Sequence, residues 1–115
     1  MSPDCLFCKI IAGTLPATLV HKDDRLTAIR DINPQAPTHL LVLPNRHIVS
    51  VSEAERGDEP LLGALLRAAG QLAEKEGLMP DGYRLVVNTG PNAGQSVFHL
   101  HVHLLGGRRM RWPPG

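Results

Sequence analysis

Three histidines occupy alternate positions in the segment His99-Leu100-His101-Val102-His103-Leu104-Leu105. Alternate side chains of a β-strand point to the same face of a sheet, so a strand here places the three imidazoles in one row, about 6.5–7 Å apart. The aliphatic residues between them form the opposite face, which suits a hydrophobic core. The segment therefore predicts a strand that is anchored on one face and presents imidazole chemistry on the other.

Three interpretations of this row follow from the residues alone. Imidazole can bind a metal as a neutral ligand, transfer protons near neutral pH, or attack an electrophile. The first interpretation is a metal-dependent hydrolase with zinc bound by all three histidines, although three successive alternate residues strain a tetrahedral site. The second is a metal-independent enzyme with a nucleophilic histidine. The third is a polar strand face without chemistry, which is unusual because strands favour β-branched and aromatic residues.

The size and charge of the chain narrow the class of protein. Its 115 residues fit one domain, taken as residues 1–115, and a hydrophobic content of 43% is enough for a modest core. The net charge is +1 without a long basic block, so we expect no nucleic-acid partner. No apolar run approaches the roughly 20 residues of a membrane helix, and the N-terminus lacks a secretion-signal pattern. We therefore expect a cytoplasmic protein without membrane association, in which the two cysteines are reduced.

Hydrophobic periodicity and turn residues predict a mixed fold. A short N-terminal helix is predicted over 5–11, and a largely helical segment over 50–77, whose main part follows a capping Asp58. Strands are predicted over 18–21, 26–30, 38–43, 83–88 and 99–106. Five strands, one long helix and a short N-terminal helix predict an α+β fold with a five-stranded antiparallel sheet.

A loop that contains glycine leads into the histidine strand. It spans residues 89–96 and ends in Gly94-Gln95-Ser96. Backbone N–H groups and a hydroxyl in such a loop can bind an anion beside the imidazoles. An ordinary turn has the same composition, so the loop is a candidate phosphate site only because of its neighbours.

The N-terminal helix carries a cysteine pair, Cys5 and Cys8. Cysteines three positions apart on a helix share a face and form half of a zinc site. A complete site needs two more ligands, for which histidines are the abundant candidates. The alternative is two ordinary buried thiols, because free cysteine is among the most buried residue types.

The histidine segment resembles the signature of the histidine triad (HIT) family, in which histidines alternate with apolar residues. The resemblance covers nearly the whole chain and points to the Hint branch. The segments that carry it are Phe7-Cys8-Lys9-Ile10-Ile11, Asp31-Ile32-Asn33-Pro34-Gln35-Ala36-Pro37-Thr38-His39, Gly94-Gln95-Ser96-Val97 and Trp112-Pro113-Pro114-Gly115. It implies a HIT-like fold and a homodimer in which two sheets join, with a tail of residues 108–115 that reaches toward the dimer partner.

The same resemblance implies a bacterial-type purine nucleoside phosphoramidase. Such enzymes hydrolyse the P–N bond of purine nucleoside 5′-phosphoramidates, and also acyl or aminoacyl adenylates, through a covalent nucleotidyl-histidine. By position, His101 matches the nucleophile, while His103 and His39 match residues of the phosphate pocket. Ser96 matches a hydroxyl near the leaving nitrogen. Two alternatives stay open: a nucleotide-binding regulatory or scaffold module with little turnover, and a dinucleoside polyphosphate hydrolase.

A set of substrate-binding residues is also implied by the resemblance. Asp31 matches a carboxylate that accepts both ribose hydroxyls, and Asn88 and the Gly94 amide match contacts to the phosphate or the leaving group. The other matches lie in an apolar slot around a purine base, in the adjoining loop or in the tail, and they are Leu6, Phe7, Ile10, Leu15, Ile32, Gln95 and Trp112.

For the metal question, the resemblance implies a structural zinc site built from Cys5, Cys8, His47 and His99. A site with four protein ligands is closed and leaves no open position for water, so catalysis is expected to need no metal. Such a site pins the N-terminal helix to the histidine strand.

Overall fold

The structure, a computed structural model, describes residues 3–115 of the chain. Its helices are α1 (Leu6–Ala12) and α2 (Glu59–Lys75). Its strands are β1 (Leu19–Lys22), β2 (Leu26–Arg30), β3 (Thr38–Pro44), β4 (Tyr83–Val86) and β5 (Val102–Gly106). Short 3-10 turns occupy Val51–Glu53, Arg56–Asp58 and Pro91–Ala93.

The five strands form one antiparallel sheet in the order β1-β2-β3-β5-β4, which confirms the predicted fold class. β3 lies in the middle and is buried throughout after Thr38, so its sequence is a nearly continuous apolar run. β5 pairs with β3 on one side and with β4 on the other. His39 and His103 are carried by this central pair and therefore stand on backbone that is hydrogen-bonded within the sheet.

Two hydrophobic clusters cover opposite faces of the sheet, because alternate residues of β3 contribute to different clusters. The α2 side contains Leu40, Val42, Leu65, Ala69, Leu72, Leu100, Val102 and Leu104. The α1 side contains Cys5, Phe7, Cys8, Ile11, Ile29, Leu41 and Leu43. The aliphatic residues of the histidine segment thus lie on the α2 side, as predicted, and the imidazoles lie toward α1.

The last strand is shorter than predicted, and this changes the row of histidines. The predicted strand begins at residue 99, but β5 begins at Val102, whose partner is Val42. Before Val102 the chain does not pair with β3, because the Leu100 N–H donates instead to the Ile48 carbonyl at 2.6 Å. His99 and His101 therefore precede the strand, and the three imidazoles do not form one regular row.

The long helix is also shorter than predicted. Two 3-10 turns occupy the beginning of the predicted helical segment, and α2 starts only at Glu59. Asp58 precedes α2, but its carboxylate accepts from the Glu55 N–H at 2.8 Å and so caps the preceding turn instead. Gly77 has φ +74° at the end of the helix, as expected for a C-terminal glycine. Among the residues described, no helix has the length and apolar character of a membrane span.

Candidate active site and metal centre

His101 is held in one tautomer by a main-chain carbonyl. Its Nδ1 lies 2.7 Å from the carbonyl oxygen of His99, so Nδ1 carries the hydrogen and donates it. The lone pair of the neutral imidazole is therefore on Nε2, which has no hydrogen-bond partner among residues 3–115. The ring is largely buried at 8% exposure. Such an imidazole is oriented by one nitrogen and nucleophilic at the other.

A second pair of imidazoles is ordered by a chain of hydrogen bonds. The Gln35 N–H donates to Nδ1 of His39 at 3.0 Å, so neutral His39 must carry its hydrogen on Nε2. That Nε2–H faces Nδ1 of His103 at 2.9 Å and donates to it. His103 is then left with its own hydrogen on Nε2, and it presents a hydrogen-bond donor. The imidazole of His103 lies 4.9 Å from that of His101, measured between ring centroids.

Burial keeps these imidazoles neutral. Desolvation lowers the pKa of His101 and of His39, although hydrogen bonding or the nearby Asp31 carboxylate offsets part of the effect. Desolvation also lowers the pKa of His103 to about 4, with further lowering by its two imidazole neighbours. A site near neutral pH therefore contains uncharged imidazoles, one as a potential nucleophile and the others as hydrogen-bond donors.

Phe7 links α1 to these imidazoles. Its ring meets His101 edge-on at a centroid distance of 5.0 Å and His99 edge-on at 5.9 Å. Phe7 is only 4% exposed, and the edge-on arrangement is a favoured one for aromatic pairs. The sequence predicts Phe7 as a wall of a base-binding slot, and the structure shows that its buried ring also contacts both histidines.

The metal-ligand candidates converge beside this site. Nδ1 of His99 lies 3.3 Å from Sγ of Cys5, 3.6 Å from Sγ of Cys8 and 3.2 Å from Nδ1 of His47. Sγ of Cys8 lies 3.4 Å from Nδ1 of His47. All four donor atoms lie within 4.8 Å of one another. Zinc–sulfur bonds of about 2.3 Å and zinc–nitrogen bonds of about 2.0–2.1 Å put tetrahedral donors about 3.3–3.8 Å apart, so the observed spacings fit one ion.

The protonation state of these donors fits a metal as well. Nε2 of His99 donates to the Pro44 carbonyl at 2.8 Å, which leaves the lone pair on Nδ1, the atom that faces the cysteines. Burial raises the pKa of the Cys5 thiol, so a thiolate there needs a bound cation to offset its desolvation. The residues Cys5, Cys8, His47 and His99 can therefore hold a metal ion.

Asp31, His39 and His103 also bring three potential ligand atoms within 4.8 Å, but they fit a metal poorly. The Gln35 N–H occupies Nδ1 of His39, so Nε2 carries the hydrogen and has no lone pair to offer. The three-histidine zinc site considered from the sequence is not formed either, because His99 turns toward the cysteines and away from His103. The two sets of potential ligands thus differ in protonation. Nδ1 of His99 has a lone pair that faces the cysteines, whereas Nε2 of His39 carries a hydrogen.

The loop before the histidine segment is held together by Gln95. Its side-chain oxygen accepts from the Gly90 N–H at 3.0 Å, and its side-chain nitrogen donates to the carbonyls of Val49 and Val97. Gln95 was expected to bind substrate, but these bonds occupy its buried amide. Ser96 is exposed beside it, and Asn88 lies two residues beyond the end of β4.

The predicted apolar slot is open. Ile32 is 97% exposed, Leu6 is 47% exposed, and Ile10 and Leu15 are half-buried. Trp112, in the tail, is 82% exposed. Asp31 is close to the imidazoles, since its Oδ2 lies 3.4 Å from Nε2 of His39. The structure thus brings the imidazoles and Asp31 together. It leaves Leu6, Ile32 and Trp112 exposed, whereas Phe7 is buried.

Sequence reasoning missed the residues that fix the tautomers. Gln35 acts on His39 through its backbone N–H, and Pro44 acts on His99 through its carbonyl. Neither contribution depends on a side chain. No residue pattern can therefore reveal them without the positions of the strands.

An antiparallel five-stranded sheet with paired imidazoles, beside a four-residue Cys/His cluster, defines a recognisable class of protein. The chain belongs to the HIT family, because the model of the HIT domain matches residues 12–110. The chain is also similar to a solved HIT family hydrolase from Legionella pneumophila Philadelphia 1. The two have 53% sequence identity and a TM-score of 0.96, and the match covers 97% of this chain and 100% of that one.

Two named relatives match over most of their length. A 14 kDa zinc-binding protein from Zea mays is 51% identical over 112 residues, which are 96% of this chain and 87% of that protein. A purine nucleoside phosphoramidase from Escherichia coli strain K12 is 47% identical over 108 residues, which are 94% of this chain and 91% of that protein. These similarities agree with the predicted family and branch.

Proposed function

We propose that this protein hydrolyses the P–N bond of purine nucleoside 5′-phosphoramidates through a nucleotidyl intermediate on His101. The observation that carries the proposal is the fixed tautomer of His101, with Nδ1–H bound to the His99 carbonyl and a free lone pair on Nε2. The 47% identity to a purine nucleoside phosphoramidase supports the substrate class. Acyl and aminoacyl adenylates, which also react at an α-phosphorus, belong to the same proposal.

In the first step, Nε2 of His101 attacks the α-phosphorus and forms a P–N bond to the imidazole. The bond from phosphorus to the leaving nitrogen breaks, and its electron pair goes to that nitrogen, which takes up a proton. We assign to the exposed hydroxyl of Ser96, at the end of the glycine-containing loop, the role of helping to deliver this proton. The His99 carbonyl stabilises the positive charge that the attacking imidazole develops, because it already accepts the Nδ1–H.

In the second step, a water molecule attacks phosphorus and loses a proton to solvent, which replaces the proton taken up by the leaving nitrogen, and the nucleoside monophosphate is released. The bond between phosphorus and Nε2 of His101 breaks, and the imidazole regains its lone pair. Splitting one displacement into two steps in this way is the advantage of a covalent intermediate. No metal takes part in either step.

The neighbouring residues bind the two ends of the substrate. His103 donates its Nε2–H to a phosphoryl oxygen, a role for which its neutral state and its hydrogen bond from His39 prepare it. Asp31 accepts the ribose hydroxyls, and Asn88 and the Gly94 amide contact the phosphate or the leaving group. The base lies in a slot formed by Leu6, Phe7, Ile10, Leu15 and Ile32.

We assign structural zinc as the ion that Cys5, Cys8, His47 and His99 would hold. The donor spacings and the proton on Nε2 of His99 support this assignment. Zinc with four protein ligands supplies folding energy rather than a reactive water. It fixes α1 and the backbone of His99, which holds His101.

The active form is a homodimer in which the tail, residues 108–115, reaches the site of the partner. An exposed tryptophan in that tail, Trp112 at 82%, supports a contact that a single chain does not provide. Leu66, on the outer face of α2, is 52% exposed and is a second candidate for burial between protomers.

The proposal is tested by steady-state hydrolysis of adenosine 5′-phosphoramidate by protein prepared without chelators, with no metal added to the assay. Wild-type protein is expected to release adenosine monophosphate and ammonia, and His101→Ala is expected to lose at least about a thousandfold in kcat, as for removal of a nucleophile. The control is His21→Ala, since His21 lies in β1 and pairs with Asp23 at 2.7 Å. Failure of the wild-type protein to cleave any P–N substrate contradicts the proposed activity.

A further inference from the structure

We propose that Arg108 is a positioning residue that determines which nitrogen of the His103 imidazole carries the hydrogen. It acts through three successive hydrogen bonds, from Arg108 to Gln35, from Gln35 to His39 and from His39 to His103. Arg108 follows β5 by two residues and is exposed. Its Nε–H donates to the Gln35 carbonyl at 3.1 Å. The proposal rests on the proposed function for its effect on turnover, whereas its structural part does not depend on any activity.

Each link of the chain determines the next. Gln35 is held at its carbonyl by Arg108, and its N–H donates to Nδ1 of His39 at 3.0 Å. This bond forces the hydrogen of neutral His39 onto Nε2, which donates to Nδ1 of His103 at 2.9 Å. His103 must therefore keep its hydrogen on Nε2, the nitrogen proposed to donate to the phosphoryl oxygen.

Within residues 3–115, Arg108 holds the Gln35 carbonyl, whereas the other restraints on this loop act on the N–H groups of Asp31 and Asn33 and on buried Ala36. Gln35 is exposed and its side chain bonds only within the loop, to the Asn33 carbonyl at 3.0 Å. A charged N–H donor forms a stronger hydrogen bond to a carbonyl than a neutral one does. Loss of this bond frees the Gln35 backbone, and with it the N–H that selects the tautomer of His39.

The first test compares kinetics of Arg108→Gln, Arg108→Lys and Arg25→Gln on adenosine 5′-phosphoramidate. Arg108→Gln is expected to lower kcat about five- to tenfold with a smaller change in KM, as for loss of one hydrogen bond that orients the site. Arg108→Lys keeps a charged donor and is expected to recover most of kcat. Arg25→Gln removes the same charge from the turn between β1 and β2, where the exposed Arg25 side chain forms no hydrogen bond or ion pair within residues 3–115, and is expected to behave as wild type.

The second test observes the imidazole tautomers directly by nitrogen–proton correlation NMR. Wild-type protein is expected to show hydrogens on Nε2 of His39 and His103, and Arg108→Gln is expected to show a mixture of tautomers at both. If Arg108→Gln keeps the wild-type tautomers, or if Arg25→Gln loses as much kcat, the proposal for Arg108 is wrong. If wild-type protein has no phosphoramidase activity, the proposed function fails, while the NMR comparison still decides the role of Arg108.

Discussion

At the scale of single residues, the histidines differ because different backbone atoms hold them. His99 donates to the Pro44 carbonyl and turns its lone pair toward the cysteines, whereas His101 donates to the His99 carbonyl and keeps its lone pair on Nε2. His103 receives a hydrogen from His39. The alternating pattern predicts three equivalent imidazoles, and their separate roles come from main-chain partners that the residue pattern does not encode.

The low pKa of His103 predicts a loss of stability in mild acid. Its pKa is about 4 in the folded protein, against 6.5 for an ordinary histidine. Between these values the unfolded chain binds more protons, so the free energy of unfolding falls as the pH drops from about 6.5 toward 4. Urea unfolding at several pH values is expected to show a steeper fall for wild type than for His103→Gln. Equal slopes for the two proteins contradict the proposed neutral state of His103.

At the scale of helices and strands, the sequence predicts which elements exist better than where they end. The strand over 26–30 is found as predicted, because a charged turn precedes it and a loop with two prolines follows it. The strand predicted over 99–106 is shortened by a hydrogen bond from Leu100 to Ile48, a contact between distant segments. Asp58 likewise caps a 3-10 turn that the helical pattern conceals. Tertiary hydrogen bonds thus decide the boundaries that matter for the site.

The N-terminal helix is expected to depend on zinc. Protein prepared without chelators is expected to contain about one zinc per chain, and Cys5→Ser/Cys8→Ser to contain almost none and to melt at a lower temperature. The reason is that the cluster joins α1 to His47 and His99, two distant parts of the chain. Elemental analysis and thermal unfolding measure both effects, with His21→Ala as the control. Wild-type protein that lacks zinc overturns the assignment.

The junction of β5 with the loop after α2 is tightly packed at Gly106. A Cβ atom added at Gly106 would lie 2.6 Å and 2.7 Å from the two Cδ atoms of Leu78, and Leu78 is itself buried at 5% exposure. Gly106→Ala is therefore expected to lower the free energy of unfolding by about 1–3 kcal/mol, as for overpacking of a core. Gly57→Ala is the control, because a Cβ at Gly57 has no neighbour within 4 Å among the described residues. Urea unfolding that shows equal stability for both variants contradicts this packing.

At the scale of the whole molecule, the sheet, the Cys/His cluster and the site form one connected unit. α1 carries Cys5 and Cys8 on one side and Phe7, which packs on His101, on another. β3 and β5 carry His39 and His103 from the other direction. The site therefore depends on the helix, the Cys/His cluster and the central strands together. This agrees with a resemblance to the HIT family that extends along nearly the entire chain.

The proposed assembly is a homodimer with exposed apolar residues between protomers. Light scattering coupled to size-exclusion chromatography is expected to give twice the mass of one chain. Trp112→Ala is expected to lower kcat/KM while the dimer remains, because the tail reaches the site of the partner but does not form the joined sheet. A monomeric wild-type protein with full activity contradicts the assembly.

The central claim is that His101 becomes covalently bonded to a nucleotide during turnover. The most direct measurement is a rapid quench of wild-type protein with adenosine 5′-phosphoramidate, under conditions that spare the acid-labile P–N bond, followed by intact mass and peptide mapping. We predict a mass increase of one adenylyl group located on His101, absent from His101→Ala and present in His21→Ala. Turnover of the substrate with no adduct, or an adduct that persists in His101→Ala, contradicts this account.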